Sequence, residues 1–163
     1  MASAGIQVTL LDVADEGDSH EERSARAYKG IETQKNRKGF VHPKFVENIS
    51  AGNTTDDLDK LHECDWVVEA IFEDLDAKRS LYETVAPHLN EHALLSSNTS
   101  TIPLAELTAK LPDVLASRFA ITHFFNPPRV MRLVEIVEGG KTSAATLRVE
   151  VARWSGAVEV ARW

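Results

Sequence analysis

Five runs of this sequence carry dense apolar cores: GIQVTLLD (5–12), DWVVEAIFED (65–74), HALLSSN (92–98), RFAITHFF (118–125) and MRLVEIVEG (131–139). A strand that alternates apolar and polar residues covers a core with one face, whereas a strand apolar throughout is buried on both. VENISAG (46–52) is a shorter candidate strand. Between these runs lie helical stretches. Residues 19–38 are charged and rich in helix formers, with Gly39 as the expected C-cap. Leucines and acids recur at helical spacing from Asp56 to Cys64. Leu75, Leu81, Val85 and Leu89 give residues 74–89 one apolar face. Pro103 stands where a first helical turn tolerates it, and LAELTAKL follows. Strand and helix in alternation predict an α/β fold, a doubly wound and mostly parallel sheet with helices on both faces. Such sheets bind ligands beyond the C-terminal ends of their strands. Asp12, Glu69 to Asp74, Ser96 to Thr101 and His123 to Asn126 all fall there.

The length of 163 residues suits one domain. A formal charge of -7 argues against nucleic acid or an anionic membrane as the main partner. Cys64 is the single cysteine, so an internal disulfide is impossible and a cysteine metal cluster is not expected; no metal site is assigned. No apolar run reaches the ~18–20 residues of a membrane span. The opening MASAGIQVTLLD lacks the pattern of a signal peptide.

Individual residues carry two readings each. Asp12 is a loop acid or an acceptor for ribose hydroxyls. His123 leaves a buried strand, as a satisfied core residue or as a general base near its working pH. Glu135 lies among aliphatics in LVEIV, where a carboxylate needs a partner. Two strands flanking the Pro127-Pro128 turn can bring it beside His123, where it would set the tautomer and raise the basicity of the free ring nitrogen. The alternative is a solvent-facing edge position. Ser100 either holds a substrate oxygen or N-caps the helix expected near Ile102. Glu73 and Lys78 are helix-surface charges or, lying just past a strand end, nucleotide contacts.

Three ordered segments, VVEAIFEDLDAK (67–78), SNTSTIPL (97–104) and HFFNPPRVMRLVEIV (123–137), resemble the NAD-binding domain of 3-hydroxyacyl-CoA dehydrogenases. The resemblance runs from about residue 5 to about residue 150 and is strongest to the version in multifunctional fatty-acid β-oxidation enzymes. It implies a Rossmann-like fold and NAD-dependent oxidation of an (S)-3-hydroxyacyl-CoA to the 3-ketoacyl-CoA. It implies His123 as general base, Glu135 as its orienting partner and Ser100 on the substrate oxygen. Asp12, Glu73, Lys78, Asn98 and Asn126 are implied at the cofactor. Acyl-CoA is the implied substrate, and a homodimer or a multienzyme complex the implied assembly.

The sequence also departs from that family. Its glycines stand at 5, 17, 30, 39, 52, 139, 140 and 156, and none forms a G-x-G-x-x-G turn. The expectation is therefore an incomplete Rossmann domain over 1–150, without the family's first strand and phosphate loop and without its C-terminal helical domain. Residues 151–163 are expected to be an atypical, partly exposed tail, because VEVARW occurs at 149–154 and again at 158–163. Weak or no turnover by the chain alone follows from this reading. The alternative is a non-catalytic remnant acting as a binding module. Bacterial cytoplasm, mitochondrion and peroxisome fit the sequence equally.

Overall fold

The computed structural model describes residues 1–128, 130–154 and 159–162. The chain forms two compact units, Met1–Leu61 and His62–Trp163.

In the first unit β1 (Val8–Asp12) pairs in parallel with β2 (Ile49–Asn53), in a register running from Val8↔Ile49 to Asp12↔Asn53. A parallel pair needs a crossover, and α1 (His20–Arg23) and α2 (Ala25–Asn36) lie in it. A capping box starts α1: Ser19 Oγ accepts from the Glu22 amide, and Glu22 accepts from the Ser19 amide. The single helix expected over 19–38 is broken at Ser24, which is buried and accepts from Asn53 Nδ2 at 3.0 Å. At the end of α2 the left-handed residue is Lys38 (φ 53), not Gly39. Gly39 donates to the Gln34 carbonyl at 2.7 Å, and a Cβ there would meet that oxygen at 2.9 Å. The glycine is needed for close approach, not for handedness. The helical spacing at 56–64 becomes a 3-10 turn, Leu58–Glu63.

The apolar cluster of this unit is small, formed by Ala27, Ile31 and Ala51 with Val46 and Ile49 packed against them, while Ala2 and Leu61 are buried outside it. A polar cluster accompanies it. The Asp57 carboxylate accepts from the Asn53 amide, His20 Nε2 and Lys60 Nζ, each at 2.8 Å. Burial alone would raise its pKa, but the Lys60, Asn53 and His20 donors outweigh that and hold it at about 2.

The second unit is a five-stranded sheet of order β3-β4-β5-β6-β7. Its strands are β3 (Trp66–Glu69), β4 (Leu94–Ser97), β5 (Phe119–Phe124), β6 (Leu133–Val137) and β7 (Glu159–Arg162). All neighbours are parallel except β5 and β6. Helix α3 (Leu75–Val85) starts where Asp74 accepts from the Ala77 amide, and α4 (Leu104–Thr108) follows Pro103. Short α5 (Asp113–Ala116) precedes β5, and α6 (Ala144–Trp154) follows β6. Every residue of β4 is buried, as a strand flanked on both sides and covered on both faces must be. The core gathers Tyr82, Leu95, Leu104, Leu107, Leu111, Leu115, Phe119 and Ile121, with the Tyr82 and Phe119 rings edge-on at 5.3 Å.

The α/β fold with mostly parallel pairing expected from the sequence is present, its described strands lying in two sheets, of two and five strands, with β1 and β3 each an edge strand of its own sheet. The two copies of VEVARW take different structures: the first lies in α6, whereas 159–162 of the second pair with β6. Residues 155–158 and Trp163 lie outside the described residues, as do the side chains of Trp154 and Trp163 on which the exposed-tail expectation rests. No helix among the described residues is long and apolar enough to cross a membrane.

The unequal cores predict unequal stability. A two-stranded sheet over a small core is marginal, so β1 and β2 amides are expected to exchange with solvent about tenfold or more faster than those of β4 and β5. Residue-resolved hydrogen exchange checks this, and equal protection would contradict it.

Candidate active site

The antiparallel pairing of β5 with β6 sets His123 opposite Glu135. His123 Nδ1 lies 2.8 Å from Glu135 Oε2, with the two side chains 20% and 28% exposed. An ionised carboxylate only accepts, so Nδ1 carries the hydrogen; in the neutral ring the lone pair is then on Nε2. The ring is further steadied by Phe125, 4.9 Å away between centroids. Of the two readings of Glu135, pairing is the one the geometry realises.

Ser100 stands in the loop after β4. It does not cap the following helix, which begins at Leu104 after Pro103. Thr99 takes the local role instead, its Oγ1 accepting from the Ile102 amide at 3.1 Å and the Thr101 amide at 3.4 Å. Ser100 is exposed, and its hydroxyl makes no hydrogen bond among the described residues. Ser100, His123 and Glu135 share a cleft of about 220 Å³ with Thr99, Thr101, Ile102, Pro103, Leu104, Ile121 and Val137. Its apolar wall meets a base and a hydroxyl, as in sites that orient a mostly apolar ligand through a few polar groups.

Glu73 builds this loop. Its Oε1 accepts from the Thr99 and Thr101 hydroxyls and from the Ser100 and Thr101 amides, both amides at 3.2 Å. Burial would raise its carboxyl, but the Thr99 and Thr101 hydroxyls and the two amides overcome that and hold it at about 2. Lys78, read from sequence as a helix-surface charge or a nucleotide contact, is 1% exposed. Its ammonium lies 2.6 Å from Glu69 and 3.4 Å from Glu73. Asn98 Oδ1 accepts from the Phe124 amide at 2.9 Å, tying the end of β4 to the end of β5 and turning Nδ2 away from that bond. Asn126 is exposed just past β5. Asp12 closes β1 in the first unit, exposed, with Oδ1 accepting from the Val13 amide at 2.7 Å.

Sequence reasoning placed Glu69 and Ser97 at strand ends without giving either a role and missed Tyr82; all three are buried, and both hydroxyls donate to the Glu69 carboxylate. A glutamate inside VVEAI was a signal of the same kind as the one in LVEIV, a carboxylate among aliphatics that demands partners.

A family model described as 3-hydroxyacyl-CoA dehydrogenase, NAD binding domain, matches residues 1–158. A Rickettsia prowazekii protein named for a trifunctional fatty acid oxidation complex is 42% identical over 138 residues, covering 84% of this chain and 19% of that protein. The human mitochondrial hydroxyacyl-coenzyme A dehydrogenase is 34% identical over 157 residues, covering 89% of this chain and 47% of that one. The crystal structure of 3-hydroxybutyryl-CoA dehydrogenase from Escherichia coli K12 matches with TM-score 0.73 and 27% identity, over 99% of this chain and 34% of that chain. The chain spans less than half the length of each.

The depressed Glu73 carboxyl makes a signed prediction. Its folded value of about 2 lies below the ordinary 4.5, so its hold on the 99–101 loop is complete above about pH 4.5 and is lost as pH falls toward 2. Loop amide resonances followed by NMR are expected to titrate in that window, and Glu73→Gln is expected to remove the titration.

Proposed function

Because this chain belongs to the family of 3-hydroxyacyl-CoA dehydrogenase NAD-binding domains, we propose that it supplies the cofactor-binding and proton-transfer residues for NAD-dependent oxidation of an (S)-3-hydroxyacyl-CoA to the 3-ketoacyl-CoA. The observation that carries the reading is the His123–Glu135 pair at 2.8 Å, opening with Ser100 onto one cleft. In this reading His123 Nε2 takes the proton of the substrate hydroxyl. Glu135 stabilises the imidazolium that results, across the Nδ1 hydrogen bond. Ser100 donates to the oxygen on which charge develops.

The residues present suit a dinucleotide. Polar groups stand at the C-terminal ends of parallel strands, where α/β sheets bind such ligands. Asn98 Nδ2 and the Ser100 hydroxyl make no hydrogen bond among the described residues. When bound, NAD would accept the hydride from the substrate carbon. Asp12 would accept from the adenosine ribose, while Asn98, Asn126 and Glu73 would border the cofactor and Lys78 would act from beneath Glu73. The wider reading adds acyl-CoA as substrate and places 1–150 as the nucleotide-binding region, with 151–163 as an appended segment. Assembly into a multienzyme complex is suggested by the name of the Rickettsia relative.

Titrating the chain with NAD is expected to shift the amide resonances of Asn98, Ser100, Thr101 and His123. Saturating NAD that leaves all of them unmoved would overturn the reading. In NADH formation from an (S)-3-hydroxyacyl-CoA, measured in a full-length context, His123→Ala is expected to lower the rate by about 10²–10⁴. Glu135→Gln is expected to cost at least about tenfold in rate with the Kd for NAD unchanged. A rate indifferent to Glu135→Gln would reduce that residue to strand packing.

A further inference from the structure

The most deeply enclosed charged cluster of the second unit is not the His123–Glu135 pair. Glu69, the last residue of β3, has a side chain 2% exposed. Its Oε1 accepts from Lys78 Nζ at 2.6 Å and the Ile71 amide at 2.7 Å. Its Oε2 accepts from the Ser97 hydroxyl at 2.6 Å and the Tyr82 hydroxyl at 2.7 Å. Four donors thus converge on one buried carboxylate, from β4, from α3 and from the turn between β3 and α3. A buried carboxylate is tolerated only while its donors stay in place, so these segments are fixed relative to one another.

Two routes lead from Glu69 to the loop that bears Ser100. The short route passes through Ser97, whose Oγ donates to Glu69 and accepts from the Thr99 amide at 3.3 Å, while the Asn98 amide donates to the Glu69 carbonyl at 2.8 Å. The long route passes through Lys78, whose ammonium stands between Glu69 and Glu73. Glu73 in turn receives the Ser100 and Thr101 amides. Tyr82 binds the same carboxylate beside Ser97, makes no hydrogen bond to the 98–101 loop among the described residues, and carries its ring into the apolar core.

We propose that Glu69 is a positioning residue for the dehydrogenase site: through Ser97, and through Lys78 and Glu73, it sets where the 98–101 loop presents Ser100. What Ser100 does there rests on the reading under Proposed function; the positioning itself does not.

The test is amide hydrogen exchange on the whole ligand-free chain. Glu69→Gln keeps the shape but replaces one acceptor oxygen by a donor and takes the ionised partner from Lys78. Exchange at Ser100 and Thr101 is expected to accelerate about tenfold or more, while Leu95 and Ser96 inside β4 keep their protection. Tyr82→Phe removes a donor from the same carboxylate, beside Ser97, but leaves the contacts that Ser97 and Glu73 make with the loop in place, so it is expected to leave Ser100 and Thr101 unchanged even where it lowers the unfolding midpoint. Ser97→Ala cuts the short route alone, and it is expected to accelerate the same two amides. It decides the matter if Glu69→Gln does not fold. Uniform acceleration through β4 and loop alike, a Tyr82→Phe profile matching Glu69→Gln, or protection unaltered in Ser97→Ala would each overturn the proposal. Because no ligand is present, failure of NAD to bind would sink the dehydrogenase reading and leave this result standing.

Discussion

A fully buried strand that ends in hydroxyls has to satisfy them inside the protein, and β4 is such a strand. Ser96 and Ser97 are wholly buried, and an unpartnered buried hydroxyl is costly. Ser96 accepts from Trp66 Nε1 at 2.9 Å, and Ser97 donates to Glu69. That requirement places a carboxylate at the end of β3. The carboxylate requires an ammonium, which α3 delivers as Lys78. The ammonium in turn stands beside Glu73, whose other oxygen gathers the loop. The run of six small polar residues at 96–101 is therefore divided by burial. Its first part closes a polar network inside the sheet, and Ser100 is left exposed, its hydroxyl without a hydrogen bond among the described residues.

The second constraint is register. His123 and Glu135 are twelve residues apart and meet because β5 and β6 run antiparallel about the turn that separates them. Strand side chains alternate faces, so a shift of one residue would carry Glu135 to the opposite face of the sheet. The chemistry proposed for the pair depends on backbone pairing more than on either side chain's own preference. The same sheet shows how weakly local sequence can decide structure. EVAR is helical at 150–153 and a strand at 159–162, since pairing with β6 is available to the second copy and overrides intrinsic propensity.

Homology and geometry support different parts of the account. The match over residues 1–158 establishes the family and with it the NAD-binding character of the domain. The geometry of the second unit shows a histidine, a carboxylate and an exposed hydroxyl on one cleft. Asp12, which the ribose contact would use, belongs to the first unit, where Asp57 and its three donors supplement a core of few apolar side chains.

Much was legible in the sequence alone. Apolar runs announced the strands, mostly parallel, although β4 is buried throughout and β1 has no buried residue, and their polar ends announced the candidate site, because both follow from which side chains water accepts. His123 and Glu135 could be paired on paper because a carboxylate among aliphatics needs a partner. What the sequence left undecided were matters of three-dimensional reach. Lys78 looks like a helix-surface charge in the linear pattern, and only packing of α3 on the sheet turns its ammonium inward. Ser100 reads as a helix cap in the sequence, but the helix begins only at Leu104 and has no side-chain cap, and Thr99 Oγ1 holds the preceding turn by accepting from the Ile102 amide. Lys38, not the neighbouring glycine, takes the left-handed turn because Gly39 is held against the Gln34 carbonyl. Composition and periodicity determine which residues leave water; which partners they then find is settled only when distant segments are brought within a hydrogen bond of one another.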